Sequence, residues 1–417
     1  MEEYGFVEDI MAFSRDLSVD RFRGLAVLAM IILQIWRDFR NLEVLSKLGN
    51  HSASAGLTII DGMQFIDIIA PMFLLSIAFT YKGSFDRRCL KYGQKKTIMH
   101  FLKRYILLIG LGGILRTVES FVFFASHGYV EKPIDYLFFV CLLFLVIFLI
   151  GKVFVIVFKN KKMDRVLSRL IIILTSCIAV LCLFATTRDF FVQILNKDFS
   201  NFRVWGYWET LQAIGASGLI TLLFIRHKTS KRFSIATIIF IGYFIFHETG
   251  NHKEIISVYA QQGGFFGILG QSCIVLYCTV LADLYYKDRT KLTRYLIALP
   301  CFGVAALIIL QFVEPTMRSV SPSYILINIF ISGTIFLIIK LYDFLSFKID
   351  LLKLLGQNSL LMYMLQYVLI YGTKEIIGYD FLNKASDLFA MSFTIIMVSI
   401  LTIVAYWMDK TGKILKL

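Results

Sequence analysis

Four stretches of the chain hold polar residues of the types and spacings that binding or catalysis needs. The first is Ser18-Val19-Asp20-Arg21-Phe22-Arg23-Gly24, at the head of an apolar run. A carboxylate at Asp20 favours a helix dipole and can cap free amides, and Arg23 follows three residues later on the same helical face. Such a pair can anchor a helix at a membrane surface, or hold a phosphate-bearing or acyl-carrying ligand there. The second stretch places His51 before Gly56, Leu57, Thr58 and Asp61, and then Asp67 before Pro71 and Phe73. Asp67 lies at the end of an apolar run, where an ionisable group needs a partner or a purpose. An imidazole at His51 could be that partner. Near neutrality it removes a proton from an attacking amine or hydroxyl, or takes an acyl group itself. A carboxylate beside it orients the ring and stabilises its cation. The plainer alternative is a solvated loop histidine and a helix-capping aspartate.

The third stretch, Arg203 to Gly215, brings Trp205, Trp208, Glu209 and Gln212 to the entrance of another apolar run. Glu209 and Gln212 fall one turn apart and are expected to face the interior of a bundle. The tryptophans form an interfacial belt or a stacking floor for a sugar. The fourth is Leu355-Gly356-Gln357-Asn358-Ser359-Leu360, followed by Tyr363 and Gln366, in which Asn358 and Ser359 read as caps opening a late helix. Arg116 with Glu119, and His247-Glu248 with His252, are further polar groups at helix ends. The two histidines are five apart, off a common helical face, and lack the spacing of a metal site, so no metal is expected. Phosphate-loop, dinucleotide and serine-elbow motifs are absent from the sequence.

The elements that must position these groups are helices in a bilayer. Of 417 residues, 58% are hydrophobic and 17% charged, with a mean hydropathy of +0.72. Soluble domains carry about 25% charged residues, and disorder needs low hydrophobicity. The apolar runs are continuous rather than alternating, which excludes a transmembrane barrel. The expected fold is an all-α polytopic helical bundle with 11–12 spans, near 22–36, 64–81, 101–118, 135–158, 168–186, 207–225, 233–247, 264–286, 293–313, 322–342, 357–373 and 388–408. Residues 1–19 form a cytoplasmic segment, 20–408 a single transmembrane domain and 409–417 a cytoplasmic tail. The basic cluster between Lys82 and Arg104 belongs in the cytoplasm, which puts both termini there and His51 on the outer face. The net charge of +14 therefore reports topology, and no nucleic-acid partner is expected. Seven cysteines, with none in an expected outer loop, argue against structural disulfides.

Taken together, the motifs resemble the heparan-alpha-glucosaminide N-acetyltransferase family and its bacterial relatives. Ser18, Asp20, Arg23, Gly24 and Met30 are similar to its opening. His51, Gly56, Leu57, Thr58 and Asp61 are similar to its outer loop, and Asp67, Pro71 and Phe73 to its second span. Leu211-Gln212-x-Ile214-Gly215 and Leu355-Gly356-x-Asn358-Ser359-Leu360-x-x-Tyr363 are similar to two later helices. The opening is shared with membrane acyltransferases that acetylate surface polysaccharides. The resemblance implies transfer of an acetyl group from cytoplasmic acetyl-CoA to an amino sugar or sugar hydroxyl of an extracytoplasmic glycan. The loop histidine, His51, would be the catalytic group, with Asp67 and Asp61 beside it. Asp20, Arg23, Arg87, Lys95 and Lys96 would serve the CoA end, with Gln34, Asn358 and Ser359 along its path. Arg116, Trp205, Trp208, Glu209 and Gln212 would meet the acceptor. Gln34 replaces the family's usual asparagine, Asp61 and Asp67 divide the role of one aspartate, and Gln366 stands where many relatives carry histidine. The expected setting is a bacterial plasma membrane, as a monomer or homodimer. A transporter or flippase for a polar or lipid-linked solute is the alternative.

Overall fold

The computed structural model describes residues 16–37, 39, 43–49, 58–126, 166–167, 169–171, 173–174, 210–249, 262–287, 291–342 and 350–411. Almost all of them are helical. In chain order the helices are α1 Leu17–Trp36, α2 Glu43–Leu48, α3 Ile69–Tyr92, α4 Gln94–Ser126, α5 Thr210–Phe224, α6 Thr229–Thr249 and α7 Gly264–Lys287. There follow α8 Thr293–Leu310, α9 Pro322–Tyr342, α10 Leu351–Gln357, α11 Ser359–Ile377, α12 Tyr379–Lys384 and α13 Asp387–Lys410. A small antiparallel hairpin, β1 Thr58–Ile60 and β2 Met63–Gln64, leads through a 3-10 turn, Phe65–Ile68, into α3.

Six of the described helices are long and apolar enough to cross a bilayer, and the chain is an integral membrane protein. Their burial sorts them into layers. The apolar windows of Phe65–Tyr92 and Phe266–Lys287 are 78% and 83% buried, whereas those of Thr229–Thr249 and Thr293–Leu310 are 17% and 22%. Helices α3 and α7 are therefore the inner pair, and α6 and α8 turn their aliphatic side chains outward. Ile238, Ile241, Ile297, Val304 and Leu307 are exposed, as lipid-facing residues should be. The expected runs 135–158 and most of 168–186 lie outside the described residues.

Three boundaries differ from the sequence expectation. The first helix starts at Leu17, not near 22, because Asp16 caps it: its carboxylate accepts the Ser18 N–H at 3.0 Å. Asp20 thus sits inside the first turn and is not the cap. The basic stretch after residue 81 is not a loop. Helix α3 runs on to Tyr92 and α4 begins at Gln94, separated only by Gly93 at φ +80, a conformation glycine adopts without steric cost. Lysine and arginine are good helix formers, so the helices outlast their apolar segments. The late span is divided at Asn358 into α10 and α11.

Polar and aromatic contacts fix how the helices meet. Asp350 caps α10 by accepting the Lys353 N–H at 3.0 Å and also takes the Arg21 Nε at 2.5 Å. Both side chains are largely buried, so loss of one partner would strand a charge. Asp16 takes the Tyr285 hydroxyl at 3.0 Å, which ties α1 to α7. Around it Phe22, Phe79, Tyr285, Tyr295 and Phe336 form one cluster of edge-to-face and tilted rings drawn from α1, α3, α7, α8 and α9. Arg232, fully buried on α6, pairs with Asp283 of α7, which also accepts the Thr229 hydroxyl at 2.6 Å.

The closest approach is between α1 and α10. A Cβ added at Gly356 would lie 1.7 Å from the Asp20 carbonyl oxygen, and one at Gly24 would lie 1.8 Å from that of Leu352. Backbone atoms cannot rotate away, so Gly356→Ala is expected to destabilise by ~1–3 kcal/mol or more. Gly242→Ala on α6, where a Cβ meets open space, should be neutral or slightly stabilising. Thermal unfolding of both variants in the same detergent checks the contrast; an unchanged midpoint for Gly356→Ala would contradict the close packing.

Candidate functional site

Arg23 is the best-placed charged group on α1. Its Nη2 donates to the Ser76 carbonyl at 3.0 Å and to the Thr80 hydroxyl at 2.8 Å, and its Nε lies 3.4 Å from the Ser76 hydroxyl. Asp20, itself buried, stands 3.6 Å from Nη1. A guanidinium held by a neighbouring carboxylate and a helix carbonyl keeps a fixed orientation.

Beside it lies a cavity of about 270 Å³. Arg88, His100 and Arg104 line one end; Arg23, Asn358 and Ser359 line the middle; Phe73, Tyr363 and Leu211 line the other end. Phe73 and Arg88 are fifteen residues apart on α3, so the lining follows the helix for roughly 22 Å. A typical hydrocarbon core is ~30 Å thick. The cavity is therefore an elongated slot, cationic at the α3–α4 junction and aromatic at its far end. The Phe73 and Tyr363 rings meet edge-on there, 6.3 Å between centroids.

The lining residues follow helical spacing. Ser76, Thr80 and Arg88 fall on one face of α3 in steps of four, and His100, Arg104 and Leu108 do the same on α4. Arg87, Lys95 and Lys96, expected to serve the same ligand, are exposed and do not line the slot. Arg88 and Arg104 belong to the basic cluster that the sequence places in the cytoplasm, and His100 joins them only once both helices are extended to Gly93.

Other expected site residues are distributed as follows. Asn358 is buried at the end of α10 and Ser359 opens α11, both on the slot. Gln212 is buried on α5, whose Leu211 and Ile214 line the slot. Gln34 is half-buried on α1, eleven residues beyond Arg23 and roughly 16 Å further along the axis. Asp67 is buried before α3, and its carboxylate accepts the Gln64 N–H at 2.9 Å, closing the turn as a cap. The Tyr324 hydroxyl donates to the Asp67 carbonyl at 2.8 Å. Asp61 is exposed at the tip of the hairpin. His51, Trp205, Trp208, Glu209 and the side chain of Arg116 lie outside the described residues. Gln366, one turn past Tyr363 on α11, is fully buried with neither amide atom hydrogen-bonded. A buried polar group left so carries a desolvation cost of ~1–3 kcal/mol.

His100 precedes the apolar part of α4, and its pKa is held below the usual value by burial and then by the Arg88 and Arg104 charges. In the folded protein the ring stays neutral while the unfolded chain takes up a proton. Stability is therefore lost as pH falls through the ordinary histidine range near 6.5. His100→Gln should flatten that loss, seen as a smaller fall in unfolding midpoint between pH 7.5 and 5.5. An anion bound between the arginines would favour the imidazolium, so its affinity should rise over the same interval. No family model matches the chain and no curated protein matches it in sequence, so the short motifs carry the family resemblance by themselves.

Proposed function

We propose that the protein is a transmembrane acetyltransferase. In this reading it takes an acetyl group from cytoplasmic acetyl-CoA and passes it to an amino sugar or sugar hydroxyl of an extracytoplasmic glycan. The observation that supports it is the slot: two arginines and a histidine at one end, a third arginine with the buried Asn358 amide and the Ser359 hydroxyl in the middle, aromatic walls beyond. Phosphates suit guanidinium forks, which bind them bidentately. A flexible thioester arm suits an elongated passage that runs from a cationic end to an aromatic one. The motif residues Arg23 and Asn358 come together on this slot from opposite ends of the sequence.

The basic end of α3 and α4 is cytoplasmic by the charge rule, and the Asp67 end is then external. His51 would act there as the base or acceptor, seven residues ahead of the hairpin. It removes the proton from the attacking amine or hydroxyl as the thioester carbonyl is attacked. The Asn358 amide is a candidate donor to the developing oxyanion. Catalysis by His51, with Asp67 as its orienting group, is part of the proposal. The setting proposed is a bacterial plasma membrane.

The buried Gln366 amide favours a second reading, a transporter or flippase with an intramembrane polar path. Thermal stability separates the two. CoA bound only to the folded state must raise the unfolding midpoint. The expected result is a CoA-dependent rise that weakens ~10–100-fold in apparent affinity in Arg88→Ala or Arg104→Ala, as for a lost charged hydrogen bond. Arg87→Ala should change it less than about twofold. Transfer of labelled acetyl from acetyl-CoA to glucosamine in proteoliposomes then tests the chemistry. His51→Ala should lower it ~10²-fold or more. Full activity in that variant removes His51 from the mechanism, and no CoA effect on wild type leaves the transporter reading.

A further inference from the structure

We infer that Ser319, His247 and Glu248 form a nucleophilic triad that accepts a short acyl group from an ester or thioester as a covalent acyl-serine. His247, in the last turn of α6, is 1% exposed. Its Nδ1 lies 2.7 Å from Glu248 Oε1 and its Nε2 lies 3.0 Å from Ser319 Oγ. The serine is 3% exposed and comes from the turn between α8 and α9, 72 residues away. Three groups of the right types are thus lined up in the order nucleophile, base, carboxylate.

The proton positions follow from the partners. An ionised Glu248 carboxylate can only accept, so Nδ1 must carry the ring proton. In the neutral imidazole Nε2 is then the acceptor, and the Ser319 hydroxyl must donate to it. This is the tautomer that prepares a serine for attack. A serine that merely capped a chain end would need no third group behind its histidine. The scaffold also holds the nucleophile firmly. The Tyr243 hydroxyl donates to the Ser319 carbonyl at 2.7 Å, and the Gly263 N–H donates to the Arg318 carbonyl at 2.9 Å. Val320, the next residue, is held at φ +53, unfavourable for a β-branched side chain and a mark of a turn fixed by its surroundings. Helix α7 begins at Gly264, directly after Gly263. Its first-turn amides stand at the positive end of the dipole, and the Gly263–Arg318 bond ties that helix start to the turn that carries Ser319.

The reaction balances without any further reagent. Ser319 Oγ bonds to the acyl carbon while its proton passes to His247 Nε2, and Glu248 stabilises the imidazolium. The tetrahedral oxyanion collapses, the bond to the leaving oxygen or sulfur breaks, and the leaving group takes the proton from Nε2. An acceptor hydroxyl or water then attacks the acyl-serine, giving its proton to Nε2, and the regenerated Ser319 recovers it. The near-complete cover of Ser319 and His247 restricts the acyl group to a short one. The triad lies at the Asp67 end of the bundle, since Tyr324, five residues past Ser319, donates to the Asp67 carbonyl. It stands on its own geometry and requires neither CoA nor His51.

A fluorophosphonate probe, which phosphonylates activated serines, tests the inference on the full chain in detergent. Mass spectrometry should place the adduct on Ser319 of folded protein and not of heat-denatured protein. Glu248→Gln keeps the side-chain volume and should slow labelling at least about tenfold, and His247→Gln should slow it further. Absence of a Ser319 adduct from folded protein overturns the triad. So does equal labelling in either variant, or in the denatured control. The probe does not involve CoA, so its failure leaves the acetyltransferase proposal standing, and failure of CoA to bind leaves the triad standing.

Discussion

The contact between α1 and α10 governs the rest of the site. Gly24 and Gly356 let two backbones meet at a separation that excludes any side chain, and the Arg21–Asp350 pair holds the same seam. Because the helices are this close, Arg23 is turned toward Ser76 and Thr80 on α3, and Asn358 at the end of α10 reaches the same slot. Widening the seam by a methyl group would move one wall of the cavity relative to the other. The local packing and the binding geometry are therefore one constraint.

This logic is natural in lipid. Hydrocarbon solvates leucine and isoleucine as well as a protein interior does, so apolar burial does not choose partners for a membrane helix. Selection falls to small residues that permit contact and to polar groups that have no water to fall back on. The Tyr285–Asp16 bond, the Arg232–Asp283 pair and the Tyr324 bond to Asp67 each join helices far apart in the chain. The exposed isoleucines of α6 and α8 contribute hydrophobic surface without specifying position.

The all-α membrane class was legible from composition and from the continuous apolar runs, because a bilayer demands helices of a certain length wherever backbone amides have no water. Arg23, Asn358 and Ser359 were singled out by their motifs, and all three line one cavity. Arg87, Lys95 and Lys96 are exposed and off the cavity, whereas Arg88, His100 and Arg104 line it. Charge density names a basic region but does not tell which members the packed helices cover, and hydropathy alone concealed that the region was helical. Asp20 was similarly read as the cap in place of Asp16, since a carboxylate four residues early fell outside the apolar run.

From residue types and order alone come the membrane, the helical class, the basic end and the motif positions, because these depend on local free energies of transfer and on periodicity. Folding supplied the pairings that span long stretches of chain: Arg21 with Asp350, Arg23 with the slot that Asn358 closes, and His247 with a serine 72 residues on. A histidine followed by a glutamate carries no mark of a distant hydroxyl. That juxtaposition depends on where α6 ends relative to the turn before α9, and helix packing sets that position, not any feature of the His247-Glu248 pair.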